Sequence, residues 1–360
     1  MNLTDLLQID PYSFDQEKKN NIYHPFFQKL THFHYSNCKH YKTMLDSLDF
    51  NLKDEFKYYD MPFLPVQLFK RYNLLSVKQK NIIKTMTSSG TSGQAVSKIY
   101  LDKENALNQT KVLTKIVSTF IGEKRAPMLI IDSASMLKNK TMFSARGAGI
   151  LGFSIFGTKK HYALDENMQL DVPALLDFLT ENKHRKIFIF GFTFMIYEHF
   201  IKSLLSQNIN IDLSNSVLIH GGGWKKLINE AVTSQEFRNL LNQVSGIKNV
   251  HDYYGMVEQT GSIYMECEYG HLHSSIFSDI IIRKPNNFTE AAIGEKGIIQ
   301  TISTLPTSYP GHSLLTEDEG ILIGKDNCKC KRQGKYFKVI GRLKNAEIRG
   351  CSDTYAQQFN

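Results

Sequence analysis

The sequence lacks any segment that resembles an export signal or a membrane span. The N-terminal stretch MNLTDLLQIDPYSFDQEKK has no basic segment followed by an apolar one, so no secretory signal is predicted. The longest apolar run, Ile187–Tyr197, is too short to cross a bilayer and contains a glycine and a threonine. A buried strand that runs into a turn explains this run better. We therefore expect a cytoplasmic protein with no membrane span.

Cysteine is also scarce, and the number of cysteines is odd. The five are Cys38, Cys267, Cys328, Cys330 and Cys351. An odd count in a chain of 360 residues argues against a disulfide framework. In a reducing compartment, clustered cysteines indicate metal binding or catalysis instead.

The chain also lacks the patterns of nucleic-acid-binding proteins. Its formal net charge is +8, but the basic residues are scattered and form no zinc-finger, RNP or homeodomain pattern. A solvated basic surface explains the charge, and an anionic substrate such as a nucleotide, or an acidic partner, is the functional alternative. No nucleic-acid partner is expected.

Apolar and amphipathic segments alternate in the middle of the chain. Residues 128–132, 187–190 and 217–219 are predicted strands, and residues 112–121, 172–182, 195–207 and 226–244 are predicted helices. This alternation is typical of an α/β fold with a mostly parallel sheet.

The two ends of the chain differ from the middle. Residues 1–80 predict short helices and loops, interrupted by Pro11, Pro25, Pro62 and Pro65. After residue 250 the pattern predicts short strands, which fit a second sheet or a distorted barrel. These strands are residues 276–283, 297–303, 320–324 and 336–340.

A loop rich in glycine and hydroxyl residues reads TSSGTSGQ. Its first seven positions hold two glycines and five hydroxyl residues: Thr87, Ser88, Ser89, Gly90, Thr91, Ser92 and Gly93. Glycine lets several backbone N–H groups point at one oxyanion, and hydroxyls add donors to phosphate oxygens. A flexible surface loop is the alternative interpretation, and a Walker loop is disfavoured because no Gly-Lys-Ser/Thr follows.

This loop resembles the signature loop of the adenylate-forming superfamily, which includes acyl-CoA synthetases and peptide-synthetase adenylation domains. In that family the loop holds the β- and γ-phosphates of ATP. The resemblance implies an α/β fold with parallel sheets, flanking helices and a distorted β-barrel. It also implies ATP and Mg²⁺ as cofactors.

Further motifs follow in the order of that family. Gly221, Gly222 and Gly223 come directly after a predicted strand, where family members lay a Gly-Gly backbone along the adenine; a plain strand-to-helix turn is the alternative. The segment DYYGMVE resembles the family's Tyr-Gly-x-Thr-Glu motif. The resemblance implies that Tyr254, followed by Gly255, stacks on adenine and that Glu258 ligates Mg²⁺.

The segment DYYGMVE departs from the family motif at Val257, where a threonine is usual. The hydroxyl that would contact the α-phosphate is therefore missing, and Thr260 and Ser262 are the candidate substitutes.

Two motifs near the C-terminus complete the nucleotide pattern. Thr316-Glu317-Asp318 resembles the family's Thr-Gly-Asp segment, which implies that Asp318 accepts hydrogen bonds from both ribose hydroxyls. An acidic turn is the alternative. GRLKNAEIRG resembles the hinge before the small domain and implies that Arg342 lies near the ribose. We expect three regions: a helical cap at 1–80, an adenylation domain at 81–340, and a tail at 341–360 that replaces the small domain.

The tail carries Cys351, and here the resemblance narrows to the acyl-protein synthetases (long-chain-fatty-acid–protein ligases) of bacterial luminescence fatty acid reductase complexes. It implies that a long-chain fatty acid, for example tetradecanoate, is adenylated and transferred to Cys351. An acyl-CoA-reductase-type subunit then accepts it, and an acyltransferase subunit is a further expected partner. Arg349 is expected to lower the pKa of the thiol. An inert thiol is the alternative.

A second cysteine group lies between the nucleotide motifs. Cys267, His273, Cys328 and Cys330, with His271 as the alternative histidine, are a candidate Cys₃His zinc site, as in some phenylacetate–CoA ligases. Unlinked cysteines in hairpins are the alternative.

One aromatic segment is expected to line the acyl pocket. The alternative is that its side chains belong to the ordinary hydrophobic core. Its residues are Phe188, Phe190, Phe192, Phe194 and Met195. Two other functions remain open: an acyl- or aryl-CoA ligase of the phenylacetate–CoA ligase type, and a nucleotide-binding subunit without turnover.

Overall fold

A computed structural model of the chain describes residues 3–52, 54–88, 96–137, 145–224 and 230–343. The chain forms two compact units. The first contains Met1–Ile116, Gly255–Tyr264 and His271–Asn360, and the second contains Val117–Tyr254 and Met265–Gly270. Within the described ranges, no helix is both long enough and apolar enough to span a bilayer.

The first unit begins with helices and a short hairpin. The helices are α1 (Leu3–Leu6), α2 (Gln16–Asn37), α3 (Lys39–Ser47) and α4 (Leu68–Arg71). A two-residue strand, β1 (Leu64–Pro65), precedes α4, and β2 (Ile82–Thr87) pairs antiparallel with β3 (Lys98–Asp102). Helix α5 (Lys103–Ile121) follows directly and continues from the first unit into the second.

Helix α2 corrects the prediction of short helices in this region. It runs for 22 residues through Pro25, which therefore does not break it. A proline removes its own N–H donor and its ring crowds the carbonyl four residues earlier, but the turns on either side are held by packing. Tyr23 and Phe27 on these turns are buried in one apolar cluster with Ile281 and Ile302 of the first unit's sheet.

The second unit is a parallel sheet with helices between its strands. The strands are β4 (Ala126–Ser133), β5 (Gly157–Leu164), β6 (Ile187–Phe192), β7 (Ser216–Gly221) and β8 (Asn249–Tyr254). Their order is β5-β4-β6-β7-β8, and every pair is parallel. Every residue of β6 and β7 is buried, as expected for central strands covered on both faces. The strands predicted at 128–132, 187–190 and 217–219 are confirmed.

The helices of this unit connect the strands. They are α6 (Ala145–Phe153), α7 (Val172–Glu181), α8 (Thr193–Met195), which continues through a π-helical turn at Ile196–Ile201 into α9 (Lys202–Ser206), and α10 (Ser234–Ser245). The helix predicted at 226–244 begins too early over its described part, because Thr233 and Glu236 form a capping box that starts α10 at Ser234.

The first unit closes with a mainly antiparallel sheet. After β9 (Tyr264–Glu266) come β10 (Leu272–His273), β11 (Ser278–Arg283), β12 (Lys296–Ser303), β13 (Ser313–Lys325) and β14 (Lys335–Arg342). The order is β11-β12-β13-β14-β10, and β1 adds in parallel to β13. Strand β13 is much longer than the predicted 320–324, and a register shift at Glu319/Gly320 bends it.

Candidate functional site

Glu258 lies buried in the first unit, in a short 3₁₀ turn at Val257–Gln259. Glu258 is 5% exposed, and its backbone carbonyl accepts a 2.7 Å hydrogen bond from the Tyr309 hydroxyl. Burial raises the pKa of the Glu258 carboxyl above its usual range, and the nearby Ser97 hydroxyl lowers it only in part. The carboxylate of Glu317 adds to the increase. A buried carboxyl of this kind is suited to a divalent cation that would compensate its charge.

Two acidic residues and an arginine lie on the neighbouring strands β13 and β14. The Arg342 guanidinium contacts Glu317 Oε2 at 2.9 Å and Asp318 Oδ1 at 4.0 Å. Arg342 is also the direct cross-strand partner of Asp318. The amide of Gln67 donates to the other oxygen of Glu317. The structure thus brings together Asp318 and Arg342, which belong to separate motifs, in a strand pair rather than an acidic turn.

Thr260 and Ser262, the candidate substitutes for the missing threonine, both use their hydroxyls in hydrogen bonds within the protein. Val257 packs against an apolar cluster that includes Tyr309 and Leu314. The Thr260 hydroxyl donates to the Val257 carbonyl at 3.0 Å. Ser262 is buried and its hydroxyl shares a hydrogen bond with Ser303. These contacts argue against either hydroxyl reaching a phosphate.

Only the first two residues of the predicted phosphate loop are described. Thr87 ends β2 opposite Lys98, and the Ser88 N–H donates to the Ser97 carbonyl at 3.2 Å. The Ser97 N–H in turn donates to the Ser88 hydroxyl at 2.9 Å. The two ends of the loop are therefore held together beside Ser97, the neighbour of Glu258. The rest of the predicted loop lies outside the described residues: Ser89, Gly90, Thr91, Ser92 and Gly93.

The glycine segment of the second unit follows β7. Gly221 is the last residue of that strand and pairs with Tyr253 of β8. Gly222 has φ +85°, and a Cβ there would lie 2.6 Å from the Phe192 ring. Glycine is required at this position both by the left-handed backbone and by the aromatic ring. Gly223 has φ +57° and faces open space.

His220 and Thr193 form a polar contact that the sequence reasoning missed. The Thr193 hydroxyl lies 3.0 Å from His220 Nδ1 and donates to the Gly221 carbonyl at 3.2 Å. Burial lowers the pKa of His220 to about 3, so the imidazole is neutral. Neutral Nδ1–H can donate to Thr193, which fixes the backbone at the start of the glycine segment. Thr193 also precedes the π-helical turn, a feature often found at functional sites.

Asp132 and Arg146 are a second constellation that the sequence reasoning missed. Asp132 is buried near the carboxyl end of β4, and the Arg146 guanidinium contacts its carboxylate at 2.9 Å. The available signal was a single acidic residue inside the apolar run MLIID. Burial of a charged residue at a strand end indicates either an ion pair or a ligand.

The remaining predicted residues lie along β6, in the short helix that follows it, and at or just after the end of β8. Phe188 and Phe190 are fully buried, and Phe190 stacks on Phe153 of α6 with ring centroids 4.4 Å apart. Phe192 and Met195 are buried at the strand end, whereas Phe194 is half-buried. Tyr254 ends β8 and is half-buried, and Gly255 belongs to the first unit. Phe188 and Phe190 are ordinary core, so Phe192 and Met195 are the better pocket candidates.

Three of the predicted zinc ligands lie together in the first unit. The ligand atoms of His273, Cys328 and Cys330 all lie within 4.8 Å of one another. Cys330 Sγ is 3.3 Å from His273 Nε2, and Cys328 Sγ is 3.5 Å from His271 Nδ1. Cys267 is buried in the short segment that belongs to the second unit. Cys351 lies outside the described residues.

Comparison with solved structures identifies the class of fold. A crystal structure of 2-hydroxyisobutyryl-CoA ligase with its acyl-adenylate and CoA matches with a TM-score of 0.69 at 13% identity, covering 93% of this chain and 77% of that chain. A second structure of that ligase, in its postadenylation state, matches with a TM-score of 0.69, also at 13% identity, and covers 93% of this chain and 70% of the ligase. The chain therefore has the fold of the adenylate-forming CoA ligases, which confirms the predicted fold class.

Comparison of the sequence identifies the family. The family model described as "Acyl-protein synthetase, LuxE" matches residues 2–360. The chain belongs to this family of ligases. Two relatives are named long-chain-fatty-acid–luciferin-component ligase. The Aliivibrio fischeri relative is 22% identical over 352 residues, covering 95% of this chain and 89% of the relative. The Vibrio harveyi relative is 22% identical over 336 residues, covering 91% and 85%.

Proposed function

We propose that this enzyme activates a long-chain fatty acid with ATP and Mg²⁺ to an acyl-adenylate and then transfers the acyl group to Cys351. The observation that carries the proposal is the arrangement within the first unit. There, Glu258 experiences the charge of Glu317, and Glu317 pairs with Arg342 beside Asp318. These residues come from three motifs that are far apart in the sequence. The family and the names of its relatives support the fatty acid as substrate.

Each part of the nucleotide has a proposed binding group. The loop Thr87–Gly93 would hold the β- and γ-phosphates through backbone N–H groups and hydroxyls. Glu258 would ligate Mg²⁺, and Asp318 would accept from both ribose hydroxyls with Arg342 nearby. The backbone of Gly221–Gly223 and the ring of Tyr254, followed by Gly255, would cover the adenine.

The proposed chemistry has two steps. In the first, a carboxylate oxygen of the fatty acid attacks the α-phosphorus of ATP, and pyrophosphate leaves. In the second, the Cys351 thiolate attacks the acyl carbonyl, the bond to AMP breaks, and AMP leaves with the electron pair. The resulting thioester would be passed to an acyl-CoA-reductase-type subunit, with an acyltransferase subunit as a further partner.

A CoA ligase of the phenylacetate–CoA ligase type is the second candidate. The observation in its favour is that the two solved structures described above are of a CoA ligase. In that case CoA, rather than Cys351, accepts the acyl group from the adenylate.

Incubation with ATP, Mg²⁺ and radiolabelled tetradecanoate, followed by a denaturing gel, separates the two candidates. We expect label on the chain that hydroxylamine releases and that is lost in Cys351→Ser. Cys38→Ser is the matched control, because Cys38 is a buried thiol of α2's C-terminus and should keep the label. In a parallel incubation that also contains CoA, label that appears on CoA and not on the chain would support the second candidate. The absence of AMP formation would contradict both candidates.

The proposal also includes one structural zinc ion, held by Cys267, His273, Cys328 and Cys330. In a tetrahedral zinc site, sulfur and nitrogen ligands lie about 3.5 Å apart. The Cys330–His273 distance of 3.3 Å fits this value. The expected function is to hold the hairpin ends of the first unit together, since a closed ligand set leaves no position for substrate.

Metal analysis of the purified enzyme tests this assignment. We expect about one zinc ion per chain and a lower melting temperature after chelation or in Cys330→Ser. Cys38→Ser should retain the metal. A folded preparation that contains no metal would exclude the zinc site.

A further inference from the structure

A buried ion pair lies at the carboxyl end of β4. Arg146, near the start of α6, contacts Asp132 through two nitrogen–oxygen pairs: Nε to Oδ2 at 2.9 Å and Nη2 to Oδ1 at 3.2 Å. The Asp132 side chain is 1% exposed and the Arg146 side chain is 18% exposed. The carboxylate is therefore enclosed, whereas part of the guanidinium remains accessible.

The guanidinium has donors that Asp132 does not use. It carries five N–H bonds, and its contacts in the described part of the chain are those with Asp132 and one with Met195 Sδ at 3.6 Å. These contacts use three N–H bonds at most. A side chain that served only to neutralise Asp132 would not need the accessible donors.

The position of the pair is typical of ligand sites in parallel α/β sheets. Ligands bind outside the carboxyl ends of such strands, where Asp132 lies. One turn after Arg146, Gly149 packs against the Phe192 ring, and Phe192 packs against Gly222. The guanidinium thus lies beside the apolar Met195, and the helix that carries it reaches the glycine segment through Gly149 and Phe192.

We propose that Arg146 binds the carboxylate of the fatty acid and that Asp132 holds its guanidinium in position. This inference rests on the proposed function and names the head-group site of its substrate. An anion attached to an alkyl chain fits a guanidinium that contacts the buried Met195, on a helix whose Gly149 packs against the buried Phe192 ring. Phosphate oxygens of the nucleotide would gain nothing from these apolar neighbours. Binding at Arg146 keeps the carboxylate ionised, as an attacking oxygen must be.

The test compares Arg146→Gln with Asp132→Asn/Arg146→Gln, using AMP formation from tetradecanoate and ATP. Arg146→Gln should raise the KM for tetradecanoate about 10- to 100-fold, the effect of losing a charge-assisted hydrogen bond, while the KM for ATP stays within about twofold. Arg146→Gln leaves the buried Asp132 carboxylate without this partner and should lower the melting temperature. The double variant also removes the carboxylate charge, so its melting temperature should return toward that of the unchanged protein. Its KM for tetradecanoate should remain high.

Arg125→Gln is the matched control, because Arg125 also belongs to the second unit and, among the described residues, donates to the Gly157 carbonyl rather than to a carboxylate. It should leave both KM values unchanged. Recovery of a normal KM for tetradecanoate in the double variant would show that the pair is structural and would overturn the proposal. An equal rise in both KM values in Arg146→Gln would also overturn it.

A binding measurement without ATP separates this inference from the proposed function. Calorimetry should show weaker binding of tetradecanoate to Arg146→Gln than to the unchanged protein, with tetradecanol bound equally by both. This result would support Arg146 even if no acyl-adenylate were formed. Equal weakening for the acid and the alcohol, or no binding of tetradecanoate to the unchanged protein, would overturn the carboxylate assignment.

Discussion

At the scale of single residues, Glu258 has a site that is unfavourable for its charge. Desolvation raises the pKa of its carboxyl, and the neighbouring Glu317 raises it further. Folding therefore favours the protonated form, whereas a metal ligand must be ionised. A bound Mg²⁺ would reverse this preference by supplying the missing opposite charge.

Replacing Glu258 by Gln should stabilise the protein and inactivate it. The folded-state pKa is raised, so the protonated carboxyl fits the site at low pH, and stability is lost as pH rises through that pKa. Gln avoids this loss, and the melting temperature of Glu258→Gln should exceed that of the unchanged protein at pH 8 but not at pH 4. AMP formation should fall about 100-fold or more because a metal ligand is lost.

Thermal melts at the two pH values and an AMP assay check both expectations. Gln67→Ala is a useful comparison, since Gln67 contacts Glu317 but is no proposed metal ligand. Normal AMP formation by Glu258→Gln would exclude Glu258 as the magnesium ligand.

The predictability of the site differs from residue to residue. Asp318 and Arg342 were proposed from separate motifs, and the structure pairs them across β13 and β14. Their ligand roles stay predictions. The contact between Asp132 and Arg146 was not predictable, because it depends on how α6 returns along the sheet and neither residue lies in a recognisable motif.

At the scale of elements, α6 connects the ion pair to the glycine segment. A Cβ on its Gly149 would lie 2.9 Å from the Phe192 ring, whereas a Cβ on Gly152 would meet nothing within 4 Å. The two glycines are about one turn apart but face different surroundings. The helix therefore provides a position that needs glycine and a control position that does not.

Gly149→Ala should disturb the site, and Gly152→Ala should not. The first substitution must displace Phe192, which packs against Gly222, so AMP formation should fall roughly tenfold, as expected for a small misplacement near a reacting centre. The second should stabilise α6 by about 0.5–1 kcal/mol because alanine is the better helix former. Melting curves and AMP assays on both variants provide the measurement; equal effects would mean that Phe192 does not transmit the change.

Element boundaries show where local sequence rules were sufficient. The strands of the second unit were predictable because central parallel strands form apolar runs. The length of helix α2 was not predictable, because the burial of Tyr23 and Phe27 outweighs the hydrogen bond lost at Pro25. The start of α10 was available in the sequence as the capping box of Thr233 and Glu236, and the apolar pattern upstream concealed it.

At the scale of the whole molecule, a buried charge network holds the first unit together. Asp279 of β11 lies 4.0 Å from Lys19 of α2 and 3.4 Å from Lys335 of β14. It also accepts hydrogen bonds from Tyr58 and Gln16. Burial alone would raise the pKa of Asp279, but the two lysines and Tyr58 outweigh burial and lower it.

Asp279→Asn should destabilise the enzyme by about 3–5 kcal/mol at neutral pH, because two buried ammonium groups lose their counter-charge. The lowered pKa means that the contribution of Asp279 is present above the ordinary carboxyl range and is lost as pH falls through the folded-state value. The difference between the variant and the unchanged protein should therefore shrink in acid. Denaturant unfolding at pH 7 and pH 3 measures it.

Asp46→Asn is the control for this experiment. Its carboxylate pairs with Lys42 on the surface of α3, where the two side chains are 48% and 51% exposed. No measurable change in stability is expected. A comparable loss in both variants would show that burial does not set the strength of the Asp279 network.

Strand β5 has a consequence for how copies of the enzyme behave at high concentration. Among the described residues it is the outermost strand of the parallel sheet, and apart from the bridge between Leu164 and Leu170 its outer backbone edge pairs with no other described strand. Lys159 and Lys160 are exposed on this strand. Lys159 also pairs with Glu181 at 3.5 Å, so the positive charge that would repel a second copy approaching edge to edge comes mainly from Lys160. A charged edge of this kind discourages fibrous self-association.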